Sequence, residues 1–152
     1  MRFLFLFVYR RSEMSILSGL HHPNIITFVG ACVVEPNLCI ITEYMRNGNL
    51  RHSLSSSVKL SFNDRMRMLL HTAQGLQYLH DTVSPSIIHR DLKCSNILVD
   101  ETNGVWTVKI ADFGFARVKE TNTTMTRCGT PSWIAPEIIR GEKYTEKADI
   151  YR

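Results

Sequence analysis

Residues 87–114 decide the reading of this chain: Ile87-Ile88-His89-Arg90-Asp91-Leu92-Lys93-Cys94-Ser95-Asn96-Ile97-Leu98-Val99-Asp100-Glu101-Thr102-Asn103-Gly104-Val105-Trp106-Thr107-Val108-Lys109-Ile110-Ala111-Asp112-Phe113-Gly114. Two short apolar runs, 97–99 and 105–111, flank Asp100-Glu101-Thr102-Asn103-Gly104. Asn-Gly is a turn signal, so the pattern predicts a β-hairpin with a short loop. Asp91, Lys93 and Asn96 stand just before its first strand, and Asp112 just after its second. A hairpin brings its ends together, so these four polar residues converge at one edge of a small sheet. A carboxylate and a carboxamide can share a divalent metal, which leaves the other carboxylate to meet a hydroxyl proton. That is the equipment for phosphoryl transfer from a metal-bound nucleotide.

The same residues carry a family resemblance. His89-Arg90-Asp91-Leu92-Lys93-Cys94-Ser95-Asn96 resembles the catalytic loop of protein kinases, H-R-D-L-x-x-x-N. Asp112-Phe113-Gly114 is similar to the D-F-G metal site, and Ala135-Pro136-Glu137 to the A-P-E motif. Three motifs in the right order and spacing make a specific signal, where D-F-G alone would be weak. The resemblance implies an α+β, protein-kinase-like fold. It implies ATP and Mg²⁺ as cofactors and protein Ser/Thr hydroxyls as acceptors. Asp91, Lys93, Asn96 and Thr130 are then the catalytic set, with Asn96 and Asp112 on the metal. Thr42, Glu43, Met45, Lys93, Asn96, Leu98 and Asp112 fall to the nucleotide.

Composition agrees with one ordinary globular domain. The 152 residues are 44% hydrophobic and 21% charged, enough for a real core. The net charge of +4 is scattered, with no basic run interleaved with aromatics, so no nucleic-acid partner is expected. Four cysteines, at 32, 39, 94 and 128, include no C-x-x-C pair. The spacing argues against a zinc site or disulfide framework and for a reducing, cytoplasmic setting. Phe3 to Tyr9 form an apolar run too short for a membrane span, which needs about 20 residues. Arg10-Arg11 behind it and the lack of a small-residue cleavage site make a poor signal peptide. An apolar strand, or a stretch foreign to the domain, fits residues 1–12 better.

Residues 12–20 place Met14, Leu17 and Leu20 at helical spacing, and Gly19 marks a stop. His21-His22-Pro23-Asn24 is a turn, similar to the one that ends the long helix of the kinase small lobe. Glu13 matches the glutamate that in kinases pairs with a strand lysine, and a solvated surface glutamate is the equal alternative. Residues 25–34 and 38–43 read as two strands joined at Glu35-Pro36-Asn37. Thr42-Glu43-Tyr44-Met45 resembles the hinge, where backbone groups of Glu43 and Met45 would meet an adenine edge and Thr42 would be a small gatekeeper. Gly48–Ser56 holds a short helix, and a longer one starts at Ser61 with a capping pattern that includes Asp64. Phe62, Met66, Leu69, Leu70, Ala73, Leu76 and Leu79 are spaced by three and four, and read as one buried stripe packed behind the catalytic loop.

Residues 115–134 form a hydroxyl-rich connection that corresponds to the activation segment. Arg90 gives a phosphate there a cation, which makes Thr121, Thr123, Thr124 and Thr126 regulatory candidates as a group; loop filler is the better reading for any single one. Ile134–Arg140 starts a helix, and 144–151 resembles the opening of the central large-lobe helix, with Asp149 at the position that holds the catalytic-loop backbone. Lys93 and Gly129-Thr130-Pro131-Ser132-Trp133 resemble the Ser/Thr class, and Phe28-Val29-Gly30-Ala31-Cys32 the tyrosine-kinase-like group. Residues 13–152 are expected to be a partial kinase domain, 13–45 from the small lobe and hinge and 46–152 from the large lobe. No G-x-G-x-x-G or V-A-I-K precedes Glu13, and the first lysine is Lys59. The chain alone is therefore expected to be inactive or nearly so and to expose apolar surface. The alternative reading is a non-catalytic, kinase-like interaction module.

Overall fold

The computed structural model describes residues 3–6, 11–57, 59–118 and 129–152. It is an α+β arrangement. A three-stranded antiparallel sheet contains β1 (Phe3–Leu6), β2 (Phe28–Cys32) and β3 (Cys39–Glu43) in the order β1-β3-β2. The short helix α1 (Arg11–Leu17) follows β1. Leu17 and Leu20 are buried, as their spacing predicts, and the last turn closes through Gly19 N–H to Ile16 O at 3.2 Å.

The strand predicted over 25–34 begins only at Phe28. Ile25 forms an isolated parallel bridge with Ile110, and Ile26 N–H donates to Ile110 O at 2.9 Å. Asn24 Nδ2 adds a bond to Val108 O at 3.1 Å. The chain entering the first sheet is thereby laid along the second one, the predicted hairpin β5 (Ile97–Thr102) and β6 (Val105–Ile110). That hairpin pairs in unbroken register from Thr102↔Val105 to Ile97↔Ile110. Its loop is the two residues Asn103 (φ 53°) and Gly104 (φ 78°). Two successive left-handed residues make the turn whose twist matches the strands, which is why Asn-Gly serves here.

Helix α2 (Leu50–Ser55) is capped by Asn49, whose Oδ1 accepts His52 N–H at 2.9 Å. Helix α3 (Phe62–Gln77) opens with the predicted box: Ser61 Oγ accepts Asp64 N–H at 3.1 Å, and Asp64 Oδ2 accepts Ser61 N–H at 3.0 Å. The predicted stripe is corrected in part: Leu76 and Leu79 are buried as expected, the rest are not. Phe62, Met66, Leu69 and Leu70 are 76%, 48%, 63% and 56% exposed, and Ala73 is exposed too. The buried face is Met68, Gly75 and Leu76, continuing to Leu79. Apolar residues occur on more than one side of α3, so spacing alone did not say which side meets β6. Gly75 decides it: a Cβ there would lie 2.9 Å from Asn24 O and 3.0 Å from Ile110 Cδ1. The close approach of helix to sheet needs a residue without a side chain at that point.

Helix α3 runs into a π-helical turn, Tyr78–Thr82. Two residues of β4 (Ile87–Ile88) then pair with β7 (Arg117–Val118). Helices α4 (Pro136–Ile139) and α5 (Lys147–Tyr151) bury Ala135, Ile138, Tyr144 and Ala148 against Ile88. The main core runs from Leu17 through Ile40, Leu79, Val99, Val108 and Phe113, so sheet, helix and hairpin share one apolar interior.

Candidate active site

The loop between β4 and β5 carries most of the site, and its backbone is held from a distance. Asp149 on α5 is 1% exposed. Its Oδ2 accepts His89 N–H at 2.8 Å and its Oδ1 accepts Arg90 N–H at 2.8 Å. His80, on the π turn, places Nε2 2.9 Å from the same Oδ2. Burial works to raise the Asp149 carboxyl, but the bonds from His80, His89 and Arg90 outweigh it and hold it below its usual value. Arg90 adopts φ 65°, a left-handed conformation costly for a residue with a Cβ, and the Asp149 clamp sits on that residue's own amide.

The His89 ring is wholly buried. Its Nε2 lies 3.0 Å from Ala111 O, and it meets Phe113 edge-on at 5.1 Å between centroids. Desolvation pushes this imidazole down, to the neutral form. Ala111 N–H donates to Asn96 O at 2.8 Å, which ties the end of β6 to the start of β5. The four residues that the hairpin argument brought together therefore share one edge.

At that edge Asp91 is enclosed by donors. Lys93 Nζ lies 2.7 Å from its Oδ2, and Asn96 Nδ2 lies 3.0 Å from the same oxygen. Thr130 gives Oδ1 both its N–H and its hydroxyl, each at 2.8 Å. Lys93 Nζ also contacts Thr130 Oγ1 at 2.5 Å, so lysine, threonine and aspartate form one cluster. Burial works to raise the Asp91 carboxyl, and the bonds from Lys93 and Thr130 more than offset it, so the group is held ionised. A cavity of about 440 Å³, lined by Arg51, Lys93, Cys94, Thr130 and Trp133 among others, opens beside this cluster.

Sequence reasoning missed one neighbour. The Arg152 side chain is buried, with Nη1 3.8 Å from Asp91 Oδ1. Gly129, at φ 110°, lies over it: a Cβ there would collide with Arg152 Nη2 and stand 2.7 Å from Arg90 O. No motif signals this arginine, because its role depends on how α5 is laid under the loop.

Asp112 is exposed, at φ 61°, with Oδ1 accepting Gly114 N–H at 3.3 Å. Asn96 spends its amide nitrogen on Asp91, also donating to the Asp91 carbonyl at 2.9 Å. Its side-chain oxygen and the Asp112 carboxylate are hard donors on adjoining ends of one hairpin. They fit a small oxygen-seeking cation that keeps water and phosphate oxygens for its other positions. Among the described residues no group of three or more His, Cys, Asp or Glu offers a denser metal site. Glu13 is 8% exposed, so it is not the solvated surface residue of the alternative reading, and its Oε2 lies against the Gly114 backbone.

The nucleotide candidates divide. Met45 and Leu98 line a cavity of about 530 Å³ together with Gly48, Ser53 and Trp106, within the size range of small-molecule sites. Thr42 is buried and Glu43 turns its side chain away, to Lys109 Nζ at 2.6 Å and Thr27 N–H at 2.7 Å. Neither side chain lines that cavity. Arg90 donates from Nε to Phe115 O at 2.6 Å and from Nη1 to Tyr144 Oη at 3.0 Å, which aims it at the start of the 115–134 connection. Thr121, Thr123, Thr124 and Thr126 lie outside the described residues.

Comparison with known proteins places this geometry. The family described as "Protein kinase domain" matches residues 9–152, and the chain belongs to that family. It is 59% identical over 142 residues to a mimivirus protein (Acanthamoeba polyphaga mimivirus) whose name includes serine/threonine-protein kinase/receptor R831, covering 93% of this chain and 8% of the relative. It is 46% identical over 140 residues to a Dictyostelium discoideum protein named as the serine/threonine-protein kinase drkB, covering 91% of this chain and 20% of that relative. The chain thus spans a small part of the curated relatives it matches. The family implies use of ATP and a metal ion in general, and no helix among the described residues is long and apolar enough to cross a membrane.

Proposed function

We propose that the chain carries the phosphoryl-transfer centre of a protein serine/threonine kinase of the tyrosine-kinase-like group, working on protein substrates in the cytoplasm. The observation that carries this reading is the enclosure of Asp91 by Lys93, Asn96 and Thr130, drawn from two separate segments of chain. Asp91 orients the acceptor hydroxyl and receives its proton at a carboxylate oxygen. Lys93 neutralises charge on the transferred group. Thr130 holds the carboxylate, and Asn96 with Asp112 would hold Mg²⁺, which supplies charge neutralisation at the ATP phosphates. Met45 and Leu98 would face the adenine, with Thr42 and the Glu43 backbone behind them. Arg90 would receive a phosphate from Thr121, Thr123, Thr124 or Thr126, and Glu13 would fix the Asp112–Gly114 turn. Residues 13–45 and 46–152 are the small-lobe and large-lobe parts of this reading.

The test supplies a glycine-rich strand pair and a lysine-bearing strand from a relative and measures ATP-dependent labelling of mixed peptides. Labelling on Ser and Thr is expected, with Asp91→Ala lowering turnover by at least about 100-fold. Labelling confined to Tyr, or unchanged turnover in the variant, refutes the assignment. A second reading, a non-catalytic module, is favoured by one feature. The strand that pairs with β3 on the side away from β2 is Phe3-Leu4-Phe5-Leu6, which carries no lysine. Failure of the completed protein to bind ATP would select that reading.

A further inference from the structure

The spacing of the cysteines along the chain suggests no pairing, but the sheet creates one. In the β2–β3 ladder Cys32 and Cys39 are direct partners, next to Ala31↔Ile40. Directly opposed residues of an antiparallel pair send their side chains to the same face, with Cβ atoms about 4.5–5.5 Å apart. Their Cα atoms are separated by about 4.5 or 5.5 Å according to the type of pair. Both values fall inside the Cα window of about 4.4–6.8 Å for a disulfide, whose Cβ atoms stand about 3.5–4.5 Å apart, so closure has to draw the two side chains together by up to about 1 Å. The two are free thiols. They are also unequal: Cys39 is 5% exposed, whereas Cys32 is partly open to solvent. Among the described residues Cys32 Sγ makes a weak contact with Val34 O, at 3.8 Å, which turning it towards its partner forfeits at little cost.

We propose that Cys32 and Cys39 form a cross-strand dithiol site that closes to a disulfide when a peroxide, or a small-molecule disulfide of the glutathione class, reacts at Cys32. With peroxide, the Cys32 sulfur attacks the O–O bond. An S–O bond forms, the O–O bond breaks, and the departing oxygen leaves as water after taking a proton. The Cys39 sulfur then attacks the Cys32 sulfur, the S–S bond forms, the S–O bond breaks, and a second water leaves. Two thiols and one peroxide give one disulfide and two waters, the two electrons passing from sulfur to peroxide oxygen. With a small-molecule disulfide, Cys32 first forms a mixed disulfide, and Cys39 then expels the small thiol. The exposed partner is the entry point and the buried one resolves, which protects Cys32 from over-oxidation. The clamp lies on the strand that runs from Cys39 into Thr42 and Glu43, so oxidation would pin that strand to β2. The inference is independent of the phosphoryl-transfer reading.

The test uses the whole reduced chain, treated with equimolar hydrogen peroxide and, separately, with oxidised glutathione. The expected product is monomeric, lighter by two hydrogens, linked between Cys32 and Cys39 by fragmentation mass spectrometry, and restored by dithiothreitol. Cys39→Ser should stop at a sulfenic acid, or a glutathione adduct, on Cys32. A second measurement needs no substitution: phenylarsine oxide, which bridges two close thiols, should bind one to one and shield both cysteines from iodoacetamide. Links made chiefly to Cys94 or Cys128, links between chains, or sulfinic acid at Cys32 beside an alkylatable Cys39 would each overturn the proposal.

Discussion

Replacing Asp149 by Ala should unfasten the catalytic loop. The carboxylate accepts two backbone N–H groups at 2.8 Å and contacts His80 at 2.9 Å, all within an interior where it is 1% exposed. A hydrogen bond to a charged acceptor contributes about 1.5–3 kcal/mol, and each buried donor left without a partner costs about 1–3 kcal/mol. The two figures describe overlapping losses and do not add. Two orphaned backbone donors at that cost each put the loss at about 2–6 kcal/mol. Against a total stability of about 5–15 kcal/mol, that is a large fraction. Asp149→Asn keeps an acceptor oxygen and should lose roughly half as much, on the same reasoning. Urea unfolding measures the loss, and hydrogen exchange at the His89 and Arg90 amides locates it. If Asp149→Ala costs less than about 1 kcal/mol and both amides stay protected, the clamp is not what holds the loop.

Four further outcomes are expected. Met68→Ala should cost about 2–5 kcal/mol as a buried truncation, whereas Leu70→Gln should change urea stability by no more than about 0.5 kcal/mol; the reverse order would show that α3 buries its other face. Gly104→Val should cost about 1–2 kcal/mol, because φ 78° forces a Cβ against the following carbonyl; an unchanged urea midpoint would refute the turn. Stability should fall on acidification. His89, Asp91 and Asp149 all have folded values below their usual ones, so the unfolded chain binds protons first. The loss then begins near the free histidine value of about 6.5 and deepens as the carboxylates protonate; a melting temperature that holds or rises from pH 7.5 to 5 would contradict this. Replacing Thr121, Thr123, Thr124 and Thr126 together by Ala should abolish the dependence of activity on phosphorylation in the completed enzyme, and activity assayed before and after phosphatase treatment checks it.

The parts of this protein legible in the sequence are those set by neighbours in the chain. Asn103-Gly104 can turn left-handed twice, so the hairpin and the meeting of Asn96 with Ala111 follow from two residues. Ser61 and Asp64 bond each other's amides three residues apart, so the start of α3 was readable to the residue. The convergence of Asp91, Lys93 and Asn96 with Asp112 was readable because a hairpin must bring its ends together, and their roles were read from the resemblance of the motifs to those of protein kinases. Burial and pairing across the chain were not. Which side of α3 faces the core depends on where Asn24 and Ile110 stand, and apolar residues on several sides leave that open. The burial of Glu13, the Arg152 guanidinium behind Asp91 and the opposition of Cys32 to Cys39 likewise arise only when separate segments pack. A side chain's spacing states its possible neighbours on its own element. Its exposure and its partners across space are set by the other elements that displace water from it, and those exist only in the folded chain.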